Sequence, residues 1–157
     1  MKLKNLVYFD AIYNSFLLSY FLSILNLKGK KSICEKNIYK SFSILKLKTR
    51  ENPYLFFFET LEKSKPMVFT KFKKKLTRKK QKIMIIPVYL KPMDQYKKAI
   101  KWLELSLLIQ PEKNQYYTKL YNELYNFNIH KQSFILQKKQ ENYKFVIENK
   151  FNKHYRW

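Results

Sequence analysis

Residues 67–90 read MVFTKFKKKLTRKKQKIMIIPVYL, and the reading of this stretch decides the fold. Its two ends, 67–72 and 83–90, are rich in β-branched, aromatic and other apolar side chains that suit a pleated surface, and they flank a polar middle. The pattern predicts a long β-hairpin. Pro87 fits it, because both strands of a projecting two-stranded ribbon are edge strands and an edge tolerates the missing N–H. The distal part carries seven cations, Lys73, Lys74, Lys75, Arg78, Lys79, Lys80 and Lys82, and no acid. Like charges packed this closely repel one another in water, and phosphates placed between them relieve the repulsion. One phosphate per cation gives this arm a counterion-release slope of roughly minus five or six in log K against log salt. A solvated lysine loop that only keeps the protein soluble is the competing reading.

On both sides of the hairpin the sequence turns helical. Upstream, Lys65-Pro66 stops a short helix that Asn52-Pro53 starts, with the run Tyr54 to Leu61 inside it. Before that, Ser32 and Glu35 have the spacing of a capping box that opens a second helix, in which Cys34, Ile38, Phe42 and Leu45 share one face. Cys34 reads as a small core residue. Residues 11–27, AIYNSFLLSYFLSILNL, form the most apolar stretch, but Ser15, Ser19, Ser23, Asn26 and Lys30 make a polar stripe at helical spacing. A buried core helix is therefore expected here, rather than a membrane span. Downstream of Lys91-Pro92, Ile100, Leu103 and Leu107 mark a helix that ends near Pro111. Tyr116, Leu120 and Leu124, flanked by Tyr117, Tyr121 and Tyr125, mark another. A last helix is expected to use Tyr143, Ile147 and Phe151 as its inner stripe.

The whole chain has 157 residues, the usual size of one domain, with 46% hydrophobic and 18% aromatic residues, ample for a core. Against that core stands a formal net charge of +22, which repels itself unless an anionic partner lies against it. Only Arg50, Arg78 and Arg156 are arginines, so phosphate is met mostly by lysine point charges, which favours backbone binding over base reading. One cysteine excludes an internal disulfide, and Cys34 with His130 and His154 does not complete a zinc site. A single glycine, Gly29, excludes a glycine-rich phosphate loop, and Glu59, Glu62, Glu104, Glu123 and Glu148 read as helix-surface partners of lysine. No enzyme and no cofactor are expected. Lys, Asn, Ile, Phe and Tyr abound while Ala11 and Ala99 are the only alanines, a bias toward AT-rich codons of the kind found in organelle genomes. The start, Met1-Lys2-Leu3-Lys4-Asn5, has no presequence character, and the expectation is synthesis inside the organelle.

The C-terminal His154, Tyr155, Arg156 and Trp157 offer aromatic faces and a guanidinium that can stack on unpaired bases and hold phosphate. Packing of Trp157 back onto the last helix is the other reading. For the whole chain, two further classes stay open beside an RNA-bound structural protein. One is a peripheral membrane protein that lays its first helix and lysines on anionic lipid, and the other is a free-standing nucleic-acid-binding protein.

Four stretches, in order, resemble small-subunit ribosomal protein seven. They are Gly29-Lys30-Lys31-Ser32 between two helices; Lys65-Pro66 opening a hairpin that returns through Pro87-Val88 to Lys91-Pro92; Ala99-Ile100-Lys101-Trp102-Leu103; and Glu148-Asn149-Lys150 leading to His154-Tyr155-Arg156-Trp157. Leu120-Tyr121-Asn122-Glu123-Leu124 is similar to the family's fifth helix. The resemblance covers about residues 10–157 and implies a mainly α fold, one six-helix domain over 1–157 with a projecting β-hairpin arm at about 67–90. It implies binding to the 3′ major domain of small-subunit rRNA and a part in assembling the subunit head. Expected partners are neighbouring head and platform proteins, with the E-site tRNA and the mRNA exit channel nearby. The rRNA contacts it implies fall on Lys28, Lys30, Lys31, the Lys73 to Lys82 stretch, Lys91, Lys101, Lys138, Lys139 and Arg156. The expected location is the mitochondrial matrix, in the ribosomal small subunit, with the plastid as alternative.

Three departures stand out. Asp94-Gln95 replaces the family's paired arginines after the hairpin, which alters that contact. The family's glycine pair at the tip is missing, so a looser lysine loop is expected there. The family's basic N-terminal extension has no counterpart, and one RNA contact fewer is expected.

Overall fold

A computed structural model describes residues 10–26, 29–77, 80–111 and 115–154, with the backbone alone described at 74–77, 80–83 and 153–154. Among them six α-helices surround one apolar core, and a two-stranded antiparallel hairpin is inserted between the third and fourth. The helices are α1 (Phe16–Leu25), α2 (Lys31–Thr49), α3 (Pro53–Ser64), α4 (Pro92–Ile109), α5 (Tyr116–Tyr125) and α6 (Phe134–Glu148). The strands are β1 (Val68–Thr77) and β2 (Lys80–Tyr89).

α1 begins later than the apolar run that announces it. Asp10 Oδ2 accepts the N–H groups of Ile12 and Tyr13, and Asn14 takes a left-handed φ of 47°, so residues 10–14 form a capped turn instead of a first helical turn. Ser15 then caps α1, its Oγ accepting from Leu18 N, which removes it from the polar stripe. Leu18, Phe21 and Leu22 are all buried, as expected of a core helix. Among the described residues no helix is long and apolar enough to cross a membrane.

In α2 the expected capping box does not form. Lys30 occupies the N-cap with no side-chain cap, and Glu35, instead of reaching back to the helix start, pairs with Lys31 one turn away at 3.5 Å. Ile38, Phe42 and Leu45 are buried, whereas Cys34 is half-buried at the core's edge and donates to Leu25 O. Asn52 caps α3 through its Oδ1 with Pro53 in the first turn, and Lys65 ends it, as the two X–Pro pairs require. Phe57, fully buried, lies 5.5 Å from the Phe21 ring and 6.1 Å from that of Phe42, joining three helices.

α4 packs on α1, α3, α5 and α6, with Ile100, Leu103 and Leu107 inward. α5 runs on into a single π-helical turn, Asn126–His130, which turns Asn128 inward. Its Nδ2 sits within hydrogen-bond reach of Thr60 Oγ1, Leu124 O and Phe56 O, tying α5 to α3.

The last helix departs most from expectation. Of the expected stripe Tyr143 is half-buried, Ile147 is 63% exposed and Phe151 lies beyond the end of α6, 85% exposed, while the inner face of α6 runs through Ile135, Lys139, Asn142 and Phe145. The apolar stripe misled because part of this helix packs against the open edges of a β-ribbon, whose carbonyls are satisfied by asparagine and not by leucine.

Candidate nucleic-acid interface

The arm is built by a ladder that pairs Val68 with Tyr89 at its root and Thr77 with Lys80 at its outer end. Lys73, Lys74, Lys75, Lys80 and Lys82 of the cationic distal stretch are therefore strand, and the tip, where the looser lysine loop is expected, falls at residues 78–79. Arg78 and Lys79 lie outside the described residues. Ten-residue strands at about 3.4 Å per residue extend roughly 30 Å. Leu90 N donates to Met67 O at 3.0 Å and closes the root. Asn142 Nδ2 on α6 donates to Val68 O, and Asn152 Nδ2 on the 3-10 turn Lys150–His154 donates to Ile85 O, each at 2.9 Å. These bonds fasten both edges of the ribbon to the helical body.

Where β1, α1 and α4 meet, Lys71, Lys97, Lys98 and Lys101 surround an open cavity of about 280 Å³ with Tyr20, Leu90 and Asp94. α4 supplies three of the lysines because positions i, i+1 and i+4 face one side of a helix. Lys98 lies over the Phe69 ring, its Nζ 3.8 Å from the centroid, and burial followed by the nearby Lys101 charge pushes its pKa down. Both causes act against the charged form, so an anion entering the cavity stabilises the ammonium. Asp94 pairs with Lys97 at 3.6 Å, and Gln95 Nε2 donates to Leu90 O at 3.0 Å. Asp94 thus offsets one charge, and Gln95 anchors the hairpin's exit into α4.

Lys101 is the one lysine of this cavity that the sequence pointed to as an rRNA contact. Lys71, Lys97, Lys98 and Tyr20 were missed, and the signal that finds Lys71 is the alternation Phe69, Lys71 along β1, which puts a lysine on the face whose aromatic packs on the helical core. The other expected contacts are dispersed. Lys30 and Lys31 stand exposed at the start of α2, with Lys31 on Glu35, and Lys91 stands exposed at the N-cap of α4. Lys73 is half-buried. Lys138 pairs with Glu141 at 2.6 Å and lies over the Phe134 ring. Lys139 donates to Lys63 O in the last turn of α3, and burial, followed by the Lys65 charge, pushes its pKa down. It works as an internal tie between α3 and α6. Lys28, Tyr155, Arg156 and Trp157 lie outside the described residues, and His154 is described only in backbone.

A model of the family described as ribosomal protein S7p/S5e matches residues 2–150. The chain is 29% identical over 154 residues to the small ribosomal subunit protein uS7 of Pelagibacter ubique, covering 98% of this chain and 95% of that protein. It is 33% identical to the uS7 protein of Nitratidesulfovibrio vulgaris, with 94% and 91% covered, and 30% identical to that of Helicobacter hepaticus, with 94% and 92% covered. With a match over nearly its whole length, the chain belongs to the ribosomal protein S7p/S5e family, structural proteins of the small ribosomal subunit rather than enzymes.

Proposed function

We propose that the chain binds the 3′ major domain of small-subunit rRNA, laying its arm and the lysine-lined cavity at the arm's root against the phosphate backbone. In this reading it helps assemble the head of the subunit, beside neighbouring head and platform proteins, with the E-site tRNA and the mRNA exit channel near the arm. The observation that carries it is the convergence of Lys71, Lys97, Lys98 and Lys101 on one cavity where α1, β1 and α4 meet, in a chain of net charge +22. Lysine clusters of this kind position a protein on polyphosphate without reading sequence. In this reading Lys30, Lys31 and Lys91, exposed elsewhere on the body, and the lysines of the arm add separate phosphate contacts. Peripheral membrane binding through the first helix is disfavoured, because Leu18, Phe21 and Leu22 are spent in the core.

The AT-biased composition supports a place in the mitochondrial ribosome, in an organelle that encodes the chain itself; the relatives compared are bacterial. Detection of the chain in purified mitochondrial small subunits after a high-salt wash tests this, and recovery only from plastid or cytosolic ribosomes refutes it.

For RNA binding, the test is the salt dependence of affinity for a 3′ major-domain transcript, native against K71Q/K97Q/K101Q. At ~0.7–0.9 for each phosphate no longer neutralised, the slope of log K against log salt is expected to fall in magnitude by about 2 to 3. A slope unchanged within error removes the cavity from the interface.

A further inference from the structure

The ladder register divides the arm's root into two faces. Val68, Thr70 and Phe72, paired with Tyr89, Pro87 and Ile85, share one; Phe69 and Lys71, paired with Val88 and Ile86, share the other. The second face meets α4 and carries the lysine cavity. The first turns toward α6, where the Phe72 ring lies 6.4 Å from that of Phe145. There Val68, Pro87, Tyr89, Val146 and Lys150 line an open slot of about 120 Å³.

The walls of this slot are already fixed. Asn142 holds the Val68 carbonyl, Asn152 holds that of Ile85, and the Leu90–Met67 bond closes the strands beside it. Three of the five lining side chains are aliphatic or prolyl, while Tyr89 stays 72% exposed at the slot's mouth. Lys150 supplies a cation at the lining, its Nζ 5.6 Å from the ring of Phe151. A rigid apolar slot with a standing aromatic and one ammonium suits a flat ring joined to a phosphate. An apolar side chain of a neighbouring protein also fits such a slot, but the ammonium and the net charge of +22 favour a polyanion.

We propose that the slot between the arm's root and α6 takes a single unpaired nucleobase of RNA, stacked on Tyr89, with its phosphate against Lys150. One face of the arm then follows phosphates while the other holds an extruded base. The proposal rests on the RNA-binding reading above and narrows it to single-stranded RNA at this face.

The full chain is titrated with a short single-stranded oligoribonucleotide carrying one 2-aminopurine, and with a duplex of the same length. Stacking quenches the 2-aminopurine fluorescence. Tyr89→Ala is expected to weaken single-strand binding by roughly 10-fold or more, about 1.4 kcal/mol, and to abolish the quench. Tyr89→Phe is expected to restore both, and duplex affinity and the salt slope should stay as in the native chain. Val146→Lys separates stacking from charge: it adds a cation yet blocks the slot, so single-strand binding should weaken. Circular dichroism checks that each variant folds, which the exposure of Tyr89 leads one to expect of the two Tyr89 variants. Native quench and affinity in both Tyr89→Ala and Val146→Lys overturn the slot while salt-dependent duplex binding leaves the broader reading intact. No binding of either RNA at low salt overturns both.

Discussion

Glu123 is a carboxylate 5% exposed in the body of the protein, and its replacement offers a quantitative test of how α6 is held. Its Oε1 accepts from Ile135 N at 3.4 Å, in the first turn of α6, and its Oε2 accepts from Gln110 Nε2 at 3.2 Å. Lys119, also buried, donates to Gln110 O at 2.9 Å, so the end of α4, the middle of α5 and the start of α6 meet in one polar cluster. Glu123→Ala leaves these donors buried without an acceptor, at about 1–3 kcal/mol, and removes a negative charge from a helix N-terminus, a further ~0.5 kcal/mol. A total of about 1.5–3.5 kcal/mol is large against the roughly 5–15 kcal/mol typical of a whole domain. Glu123→Gln keeps an acceptor and sheds the charge, and should cost under about 1 kcal/mol. Burial pushes the Glu123 pKa up, against the smaller opposing effect of the backbone and Gln110 donors. The folded state therefore holds its proton to higher pH than the unfolded chain does. Native stability should fall as pH rises from the ordinary carboxylate range through the raised value, then level off. Urea denaturation over a pH series reads both effects. An Ala variant within ~0.5 kcal/mol of native, or a Gln variant with the native pH slope in that window, refutes the assignment.

Two other substitutions probe the frame. Phe57→Ala removes a fully buried ring that contacts α1 and α2, and should cost about 3–5 kcal/mol in denaturant titration; a cost under 1 kcal/mol would show that the core closes over the gap. Asn142→Ala with Asn152→Ala removes both ties to the ribbon edges, at about 1 kcal/mol each. Amides near Val68 and Ile85 should then exchange faster while the helical dichroism holds, and unchanged exchange would mean the arm is held by packing alone.

The fold was legible where local chemistry leaves one outcome. Asn52-Pro53 and Lys65-Pro66 bracket α3 because proline permits a helix start and forbids its continuation, and the β-branched runs around Lys73–Lys82 could pair only with each other. Reading failed where tertiary contact reassigns a residue. Glu35 has the spacing of a cap but finds Lys31 nearer; Ile147 keeps helical period yet faces outward because Asn142 takes an inner position against the ribbon, and Phe151 lies past the end of α6 in the 3-10 turn. The interface divides in the same way. Charge and the arm are properties of composition, whereas Lys71 and Lys97, twenty-six positions apart, become neighbours only when β1 lies against α4.

How the charges are distributed then explains why cations gather at the arm's root without acids to match them. The ion pairs among the described residues, Lys31–Glu35, Lys63–Glu59, Lys65–Glu62, Lys97–Asp94 and Lys138–Glu141, all join positions three or four apart. Such pairs are exposed and contribute only tenths of a kcal/mol each, but they engage acids close to where those acids stand in sequence. β1 has no acid to offer, and α4 offers Asp94 to Lys97. Folding therefore gathers cations at the junction of strand and helix faster than it gathers carboxylates. Lys98, already pressed onto Phe69 and disfavoured as a charge by its burial and by Lys101, gains most from a phosphate placed there. The same packing that builds the junction leaves its neutralisation to a partner outside the chain.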